Sequence, residues 1–282
     1  IQVLITLSPI VLTYILLTIF APLWVNYVQS KFFLKTKTVL LEIKLPKETI
    51  KSPLAMELFL TSLHQTGGEG TWYDKYWLGK TRPWYSLEMV SIEGQVRFYI
   101  WTREAQKNFI ESSLYAQFPG IEVKGTEDYT KHIKFDPKEN NIFACELELV
   151  KADAFPIKTY VDYGLDSDPK EELKVDPIAP LIEYLSSIGF NQQVWIQIIV
   201  RAHKKEQTKK GHWWKKTDAW KDSAEEEINK IMQRDPKTKI TGKKDAASGR
   251  ITPPTLSKGE QEIVAALDRS IAKLPFDVGI RA

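Results

Sequence analysis

Residues 84–101 read Trp84-Tyr85-Ser86-Leu87-Glu88-Met89-Val90-Ser91-Ile92-Glu93-Gly94-Gln95-Val96-Arg97-Phe98-Tyr99-Ile100-Trp101. Two runs rich in aromatic and β-branched residues flank Glu93-Gly94. Such side chains fit a pleated surface, and a two-residue link ending in glycine tolerates the left-handed backbone of a tight turn. The stretch predicts two antiparallel strands, 84–92 and 95–101. Upstream, residues 38–45 (TVLLEIKL) predict a strand and 52–63 (SPLAMELFLTSL) a helix, with Ser52 as N-cap and Pro53 at the first helical position. Downstream, residues 102–118 predict a helix with Ala105, Phe109, Ile110, Leu114 and Tyr115 on one side, and 121–124 a short strand. The order β-α-β-β-α-β is that of a ferredoxin-like unit, two helices on one face of an antiparallel sheet.

The second half reads as a repeat with insertions: strand 143–150, helix 176–188, strand 193–203, helix 257–274 and strand 276–281. Ser52-Pro53-Leu54-Ala55 and Asp176-Pro177-Ile178-Ala179 share a capping residue, a proline and an apolar-alanine pair, and Thr61-Ser62-Leu63 corresponds to Leu185-Ser186-Ser187. Duplication explains the match, as does chance likeness of two capped amphipathic helices. The expected fold class is α+β, an N-terminal transmembrane helix followed by two ferredoxin-like units. The boundaries are 1–30 for the anchor, 31–125 for the first unit and 126–282 for the second. A long basic insertion, 204–255, holds a helix at 218–233 and then a linker at 235–254 rich in Lys, Gly, Thr, Ser and Pro. Leu58, Leu87, Phe98, Ile100, Phe109, Leu147, Ile182, Trp195, Ile198 and Leu267 are the expected core.

The first thirty residues contain no Asp, Glu, Lys or Arg, and residues 3–28 are dominated by Leu, Ile, Val and Phe. A bilayer core needs about 20 such residues. Trp24 and Tyr27 stand where an aromatic belt meets the headgroups, and Lys31, Lys35, Lys37, Lys44 and Lys47 follow with only Glu42 and Glu48 to offset them. That flank predicts a single-pass protein of the inner membrane with its body in the cytoplasm. A cleaved signal peptide and a buried core helix are the rival readings; the apolar run outlasts a signal h-region and ends in Trp, Asn and Tyr rather than small residues. The chain opens on isoleucine and stops at Gly279-Ile280-Arg281-Ala282, in what reads as mid-strand, so a fragment of a longer protein is expected.

The 39 basic and 36 acidic residues leave a formal charge of +3, so any polyanion contact must be a local patch. Cys145 is the single cysteine, which excludes an internal disulfide and a cysteine metal cluster. No phosphate loop, dinucleotide fingerprint, HExxH or GxSxG motif is present, and no enzyme activity, cofactor or metal is expected of this chain. Ser270 and Lys273 fit S-x-x-K but lack its companion motifs and read as a solvated helix face. Asp162, Asp166, Asp168, Glu171 and Glu172 lack the alternate spacing and central glycine of a calcium loop.

One patch stands out. Residues 203–221 (HKKEQTKKGHWWKKTDAWK) interleave Lys204, Lys205, Lys209, Lys210, Lys215, Lys216 and Lys221 with Trp213, Trp214 and Trp220. Lysines attract phosphates and tryptophans stack on bases or seat among headgroups, so a lipid or partner contact, a single-stranded nucleic-acid contact and a plain solvated loop all remain open. A second aromatic run, Trp72-Tyr73-Asp74-Lys75-Tyr76-Trp77, reads either as core-capping or as an interaction surface.

The 84–100 run, together with Ser113-Leu114-Tyr115-Ala116-Gln117-Phe118-Pro119-Gly120-Ile121-Glu122-Val123, resembles the region before the motor in membrane-bound ATPases of the type IV secretion and conjugation class, particularly of small-genome bacteria. Phe276-Asp277-Val278-Gly279-Ile280-Arg281-Ala282 resembles the strand that leads toward that motor. The resemblance implies a non-catalytic, membrane-proximal tethering and oligomerisation module of a DNA- or protein-translocating ATPase. Its implied partners are the bilayer, further copies of itself and other secretion subunits. The motor's phosphate loop and Mg-binding carboxylate are not among these residues, so no catalytic residue carries over. A free-standing membrane-anchored scaffold or receptor subunit is the alternative.

Overall fold

The computed structural model describes residues 2–46, 53–132, 136, 138, 140–166, 176–204, 207–208, 216–232, 243–244, 251–252 and 256–282. A long helix, α1 (Gln2–Lys35), leads into β1 (Thr38–Lys44). The chain continues through α2 (Pro53–Ser62), the short α3 (Trp72–Tyr76), β2 (Trp84–Ile92), β3 (Gln95–Arg103), α4 (Lys107–Gln117) and β4 (Glu122–Thr126). The second half supplies β5 (Glu146–Leu147), α5 (Ala179–Ser186), β6 (Gln193–Ala202), a small pair β7 (Gln207–Thr208) and β8 (Lys216–Thr217), α6 (Ala219–Ile231), another small pair β9 (Lys243–Lys244) and β10 (Ile251–Thr252), α7 (Lys258–Ala272) and β11 (Phe276–Arg281).

The expected hairpin is present: Ile92 faces Gln95, and Glu93 (φ 53°) and Gly94 (φ 82°) both take the positive φ that matches a tight turn to the strands' twist. β3 runs two residues past the predicted end, because Thr102 and Arg103 pair with Val39 and Thr38 of β1. The helix predicted from residue 102 accordingly starts at Lys107, after a 3-10 turn at Glu104–Gln106.

The two halves share one sheet. Seven strands run β4-β1-β3-β2-β6-β11-β5, with neighbours antiparallel throughout. β6 lies along β2 from Trp84↔Arg201 to Ile92↔Gln193, so the second half extends the first half's edge. The strand predicted over 143–150 forms a ladder only at Glu146–Leu147, on the outer edge. The helix predicted from Asp176 begins at Ala179 with Ile178 as its N-cap, and Asp176 instead accepts the Ile178 amide in a turn before it. Asp176 is therefore not the N-cap that the repeat expected. The Ser52 cap lies outside the described residues.

One sheet face carries the main core: Leu41, Tyr85, Ile100 and Val200 from the strands meet Phe59 and Leu63 beside α2, and Ile110 and Leu114 of α4. Of the expected core residues, Ile100 and Leu267 are buried, whereas Leu58 (50% exposed) and Leu147 (61%) face outward. Phe59, not Leu58, is the inward residue of α2, and Leu147 sits on an uncovered edge strand. Leu87, Phe98, Phe109, Ile182, Trp195 and Ile198 are half-buried. On the second half, α6 and α7 pack through Ala224, Ile228 and Leu267 against Ala154. Helix α7 opens with a capping box in which Ser257 and Glu260 each accept the other's amide proton.

Candidate membrane-interface site

Among the described residues, α1 is the one helix long and apolar enough to cross a membrane, and from Val11 to Lys35 most of its side chains are exposed. The exceptions form a stripe near its end: Val28 is buried, and Trp24, Val25, Gln29 and Phe32 are half-buried. Spacings of four residues return a side chain to the same helix face, so Trp24, Val28 and Phe32 present one edge to the body.

Each meets a different part of a clasp built from residues 69–82 and β3. The Trp24 indole N–H donates to the Tyr76 carbonyl at 2.8 Å, and its ring lies 5.9 Å from that of Trp77. Gly79 (φ 63°) packs so tightly on Val28 that a Cβ there would stand 2.2 Å from the Val28 carbonyl oxygen. Only glycine combines that φ with that approach. Phe32 stacks under the Arg103 guanidinium, 5.3 Å from its ring centre. Arg103 also donates to the Thr81 carbonyl (3.1 Å), the Thr81 hydroxyl (2.7 Å) and the Arg82 carbonyl (3.1 Å), tying the clasp to the sheet; burial pulls its guanidinium below its ordinary pKa.

The clasp is internally held. Thr71 caps α3 by accepting the Asp74 amide at 3.1 Å and donates to the Asp74 carboxylate at 2.6 Å. Lys80 pairs with Asp74 at 2.8 Å, and Lys80 together with Thr71 holds that carboxyl below the usual range. Arg82, buried to 1% exposure, donates to the Ala202 carbonyl at 2.8 Å and reaches Glu69 and Asp277. Of the residues expected at the headgroups, Trp24 is thus a docking residue, Tyr27 is 59% exposed beside it, and Lys31 and Lys35 are exposed on the turns that follow.

The basic-aromatic segment has a different setting. Lys205, Lys209, Lys210, Trp213, Trp214 and Lys215 lie outside the described residues. The flanks are anchored: Lys204 donates to the Glu69 carbonyl at 3.2 Å, Trp220 donates to the Asp153 carbonyl at 3.3 Å, and Lys216 belongs to β8, which pairs with β7. His203, at the root of the segment, bridges Asp277 (Nδ1 to Oδ1, 2.7 Å) and Asp218 (Nε2 to Oδ1, 3.2 Å). Asp218 also caps α6 by accepting the Lys221 amide, and Asp277 takes a 2.9 Å ion pair from Arg201. Burial would raise the Asp277 carboxyl, but His203 and Arg201 hold it below the usual range.

Sequence reasoning missed a cleft of about 200 Å³ on the sheet face away from α2 and α4, lined by Trp84, Ser86, Glu88, Trp101, Tyr129 and Gln197 among others. Buried Glu88 accepts the Tyr129 hydroxyl (2.8 Å) and the Gln197 amide (3.1 Å), and Trp84 stacks on Trp101 at 4.4 Å. Burial and the adjacent Glu88 raise the Tyr129 hydroxyl above its ordinary pKa. Glu88 and Gln197, polar residues at mid-strand among mostly apolar neighbours, were the signal available. The Ser270–Lys273 pair is spoken for: Ser270 donates to the Ala266 carbonyl and Lys273 to Glu57, which binds Tyr160 as well. No group of three His, Cys, Asp or Glu among the described residues is placed to hold a metal ion.

Neither the curated proteins nor the solved structures include one that matches this chain. Residues 29–252, from the docked turns of α1 through β10, match the family described as a domain of unknown function, DUF8128, and the chain belongs to that family.

Proposed function

We propose that this chain is a single-pass, non-catalytic membrane tether that holds an α+β body against the cytoplasmic face of the bilayer and orients what that body carries. The observation that carries the reading is α1 itself: an apolar helix exposed from Val11 to Leu23 and docked to the body from Trp24 onward. At 1.5 Å per residue, Gln2 to Leu23 measures about 33 Å, close to the roughly 30 Å of a hydrocarbon core. Docking begins at the next residue, Trp24. Lys31, Lys35 and Lys37 support the cytoplasmic side.

The order β4-β1-β3-β2 supports reading the first half as a ferredoxin-like unit, with β5, β6 and β11 as an abbreviated second copy grafted on its edge. An oligomerisation role is supported by the uncovered edge, where Phe143, Leu147, Leu149 and Val150 lie exposed on or beside β5. The resemblance described above supports a parent of the translocating-ATPase class.

The test is fractionation. The full chain should stay in membranes through alkaline carbonate, residues 31–282 alone should be soluble, and protease added outside intact cells should spare the body. Carbonate extraction of the full chain would refute the span, and digestion from outside would refute the orientation.

A further inference from the structure

The aromatic rings around α3 form a connected path that starts on the span and ends on the body. Phe20 lies 6.0 Å from Trp24, Trp24 lies 5.9 Å from Trp77, and Trp77 lies 5.8 Å from Trp72. Phe20 is inside the apolar run of α1, so the path begins at hydrocarbon depth on the reading above and leaves the helix sideways at Trp24. The rings on the body side are not used to fill a core. Trp72 is 67% exposed, Trp77 55% and Tyr73 54%, while no α3 residue is buried. The adjoining charges, Asp74, Lys75 and Lys80, satisfy one another or lie over a ring: Lys80 pairs with Asp74, and Lys75 sits 5.6 Å above Tyr76. Rings that are amphipathic, exposed and flanked by lysines are the composition of the headgroup boundary.

We infer that α3 is a second, peripheral membrane contact: Trp72, Tyr73 and Trp77 insert at the headgroup–acyl boundary of the bilayer that α1 spans. The inference rests on the tether reading and adds to it. A span alone leaves the body free to swing about its exit point. A span clasped at Gly79 and Arg103, with α3 seated in the same interface to one side, makes two separated contacts and fixes the tilt of the sheet. The occupant is lipid rather than a second protein copy because the path is continuous with the apolar surface of α1, which must itself be covered by lipid at the adjoining turn.

The strands give the control position. β1 starts directly after α1, with Thr38 opposite Arg103, so the Glu93-Gly94 turn and the Phe190 loop that borders it lie at the far end of the strands, about 25–30 Å away at 3.3 Å per residue. Phe190 is 87% exposed. In a Cys145→Ser background, an environment-sensitive fluorophore is placed singly through Trp72→Cys, Tyr27→Cys or Phe190→Cys. Each full-length chain is reconstituted into nanodiscs with and without lipids carrying a nitroxide quencher at a shallow acyl position. The expected result is severalfold quenching and a blue-shifted emission at 72, as at 27, with neither at 190. If 27 reads lipid while 72 reads water like 190, the span stands and the second contact is refuted. A label at 72 shielded from water but unquenched by lipid means that protein covers α3, which also overturns the inference. Water-like readings at both 27 and 72 sink the tether reading and the inference with it.

Discussion

Two regions of this protein combine tryptophans with lysines, and the fold treats them differently. Residues 72–80 form a small capped unit pressed on the end of α1, with its rings facing outward at the level of Trp24. Residues 204–221 are fastened at both flanks to the body, through Lys204 to Glu69 and Trp220 to Asp153. Composition ranks the second as the stronger membrane or nucleic-acid candidate, since it is far more basic. Position favours the first, because a weak interfacial affinity counts for more on an element already held against the apolar helix α1. An aromatic-basic motif thus acquires its role from its neighbour as much as from its own residues.

The sharpest way to break the contrast is at Gly79. Gly79→Val places a side chain within 2.2 Å of the Val28 carbonyl at a φ that costs a β-branched residue about 1–2 kcal/mol even without the clash. The expected outcome is complete undocking of α1, read as new protease cleavage between residues 35 and 83 in detergent-solubilised chain, while the urea midpoint of the body moves little. Ile110→Ala should do the reverse, costing about 2–5 kcal/mol of body stability as a core truncation without freeing α1. If both variants lower the midpoint and expose the same cleavage sites, clasp and core are one cooperative unit.

Next in size is the charge of the basic segment. Changing Lys209, Lys210, Lys215 and Lys216 to Gln should weaken binding of residues 31–282 to anionic vesicles by about 2–4 kcal/mol at low salt, at roughly 1 kcal/mol per lysine near an anionic surface. The effect should vanish at high salt, and docking of α1 should not change. A preference of the unmodified body for single-stranded DNA over vesicles at equal salt, lost on Trp213→Ala and Trp214→Ala, would assign the segment to nucleic acid instead. A smaller effect is expected from Trp24→Phe, which keeps a ring against Trp77 but deletes the hydrogen bond to the Tyr76 carbonyl. That bond is worth about 1 kcal/mol, so cleavage between 35 and 83 should rise only severalfold.

The hairpin was legible because it is written locally, as Glu93-Gly94 between alternating strands. The clasp was not. Trp24, Val28 and Phe32 recur every four residues, but inside a helix apolar on every side that period carries no contrast, so the docked stripe looks like the apolar remainder. Gly79 announces nothing until Val28 is placed against it. The joining of β6 to β2 was hidden for a related reason. Two half-sheets and one continuous sheet need the same alternation along each strand, and only pairing across residues about a hundred apart distinguishes them. For Leu58, a helix apolar over most of its surface gave the wrong inward residue by one position.

The smallest expected effect is acid-dependent and belongs to the basic segment's root. Asp277 carries a carboxyl held below the usual range against burial, by His203 and Arg201, with Arg82 4.0 Å away. A depressed carboxylate contributes stability that is fully present above the unfolded-state value of about 4 and is lost as pH falls through the lower folded value. Acidification through that window should therefore loosen the bridge from β11 through His203 to Asp218, and with it the start of α6. The clasp depends on backbone approach, ring packing and Arg103, which stays charged; its one depressed carboxyl, Asp74, is half-buried and paired with the exposed Lys80, where solvent screens the pair. Between pH 6 and pH 3, protease cleavage of residues 204–218 should rise while cleavage of 67–80 does not. Asp277→Asn should show the raised cleavage of 204–218 already at pH 6 and respond less to acid. If instead both segments open together on acidification, or Asp277→Asn leaves cleavage of 204–218 unchanged at pH 6, the His203 bridge does not hold the segment and its flanks are secured by Lys204, Trp220 and the β7–β8 pair.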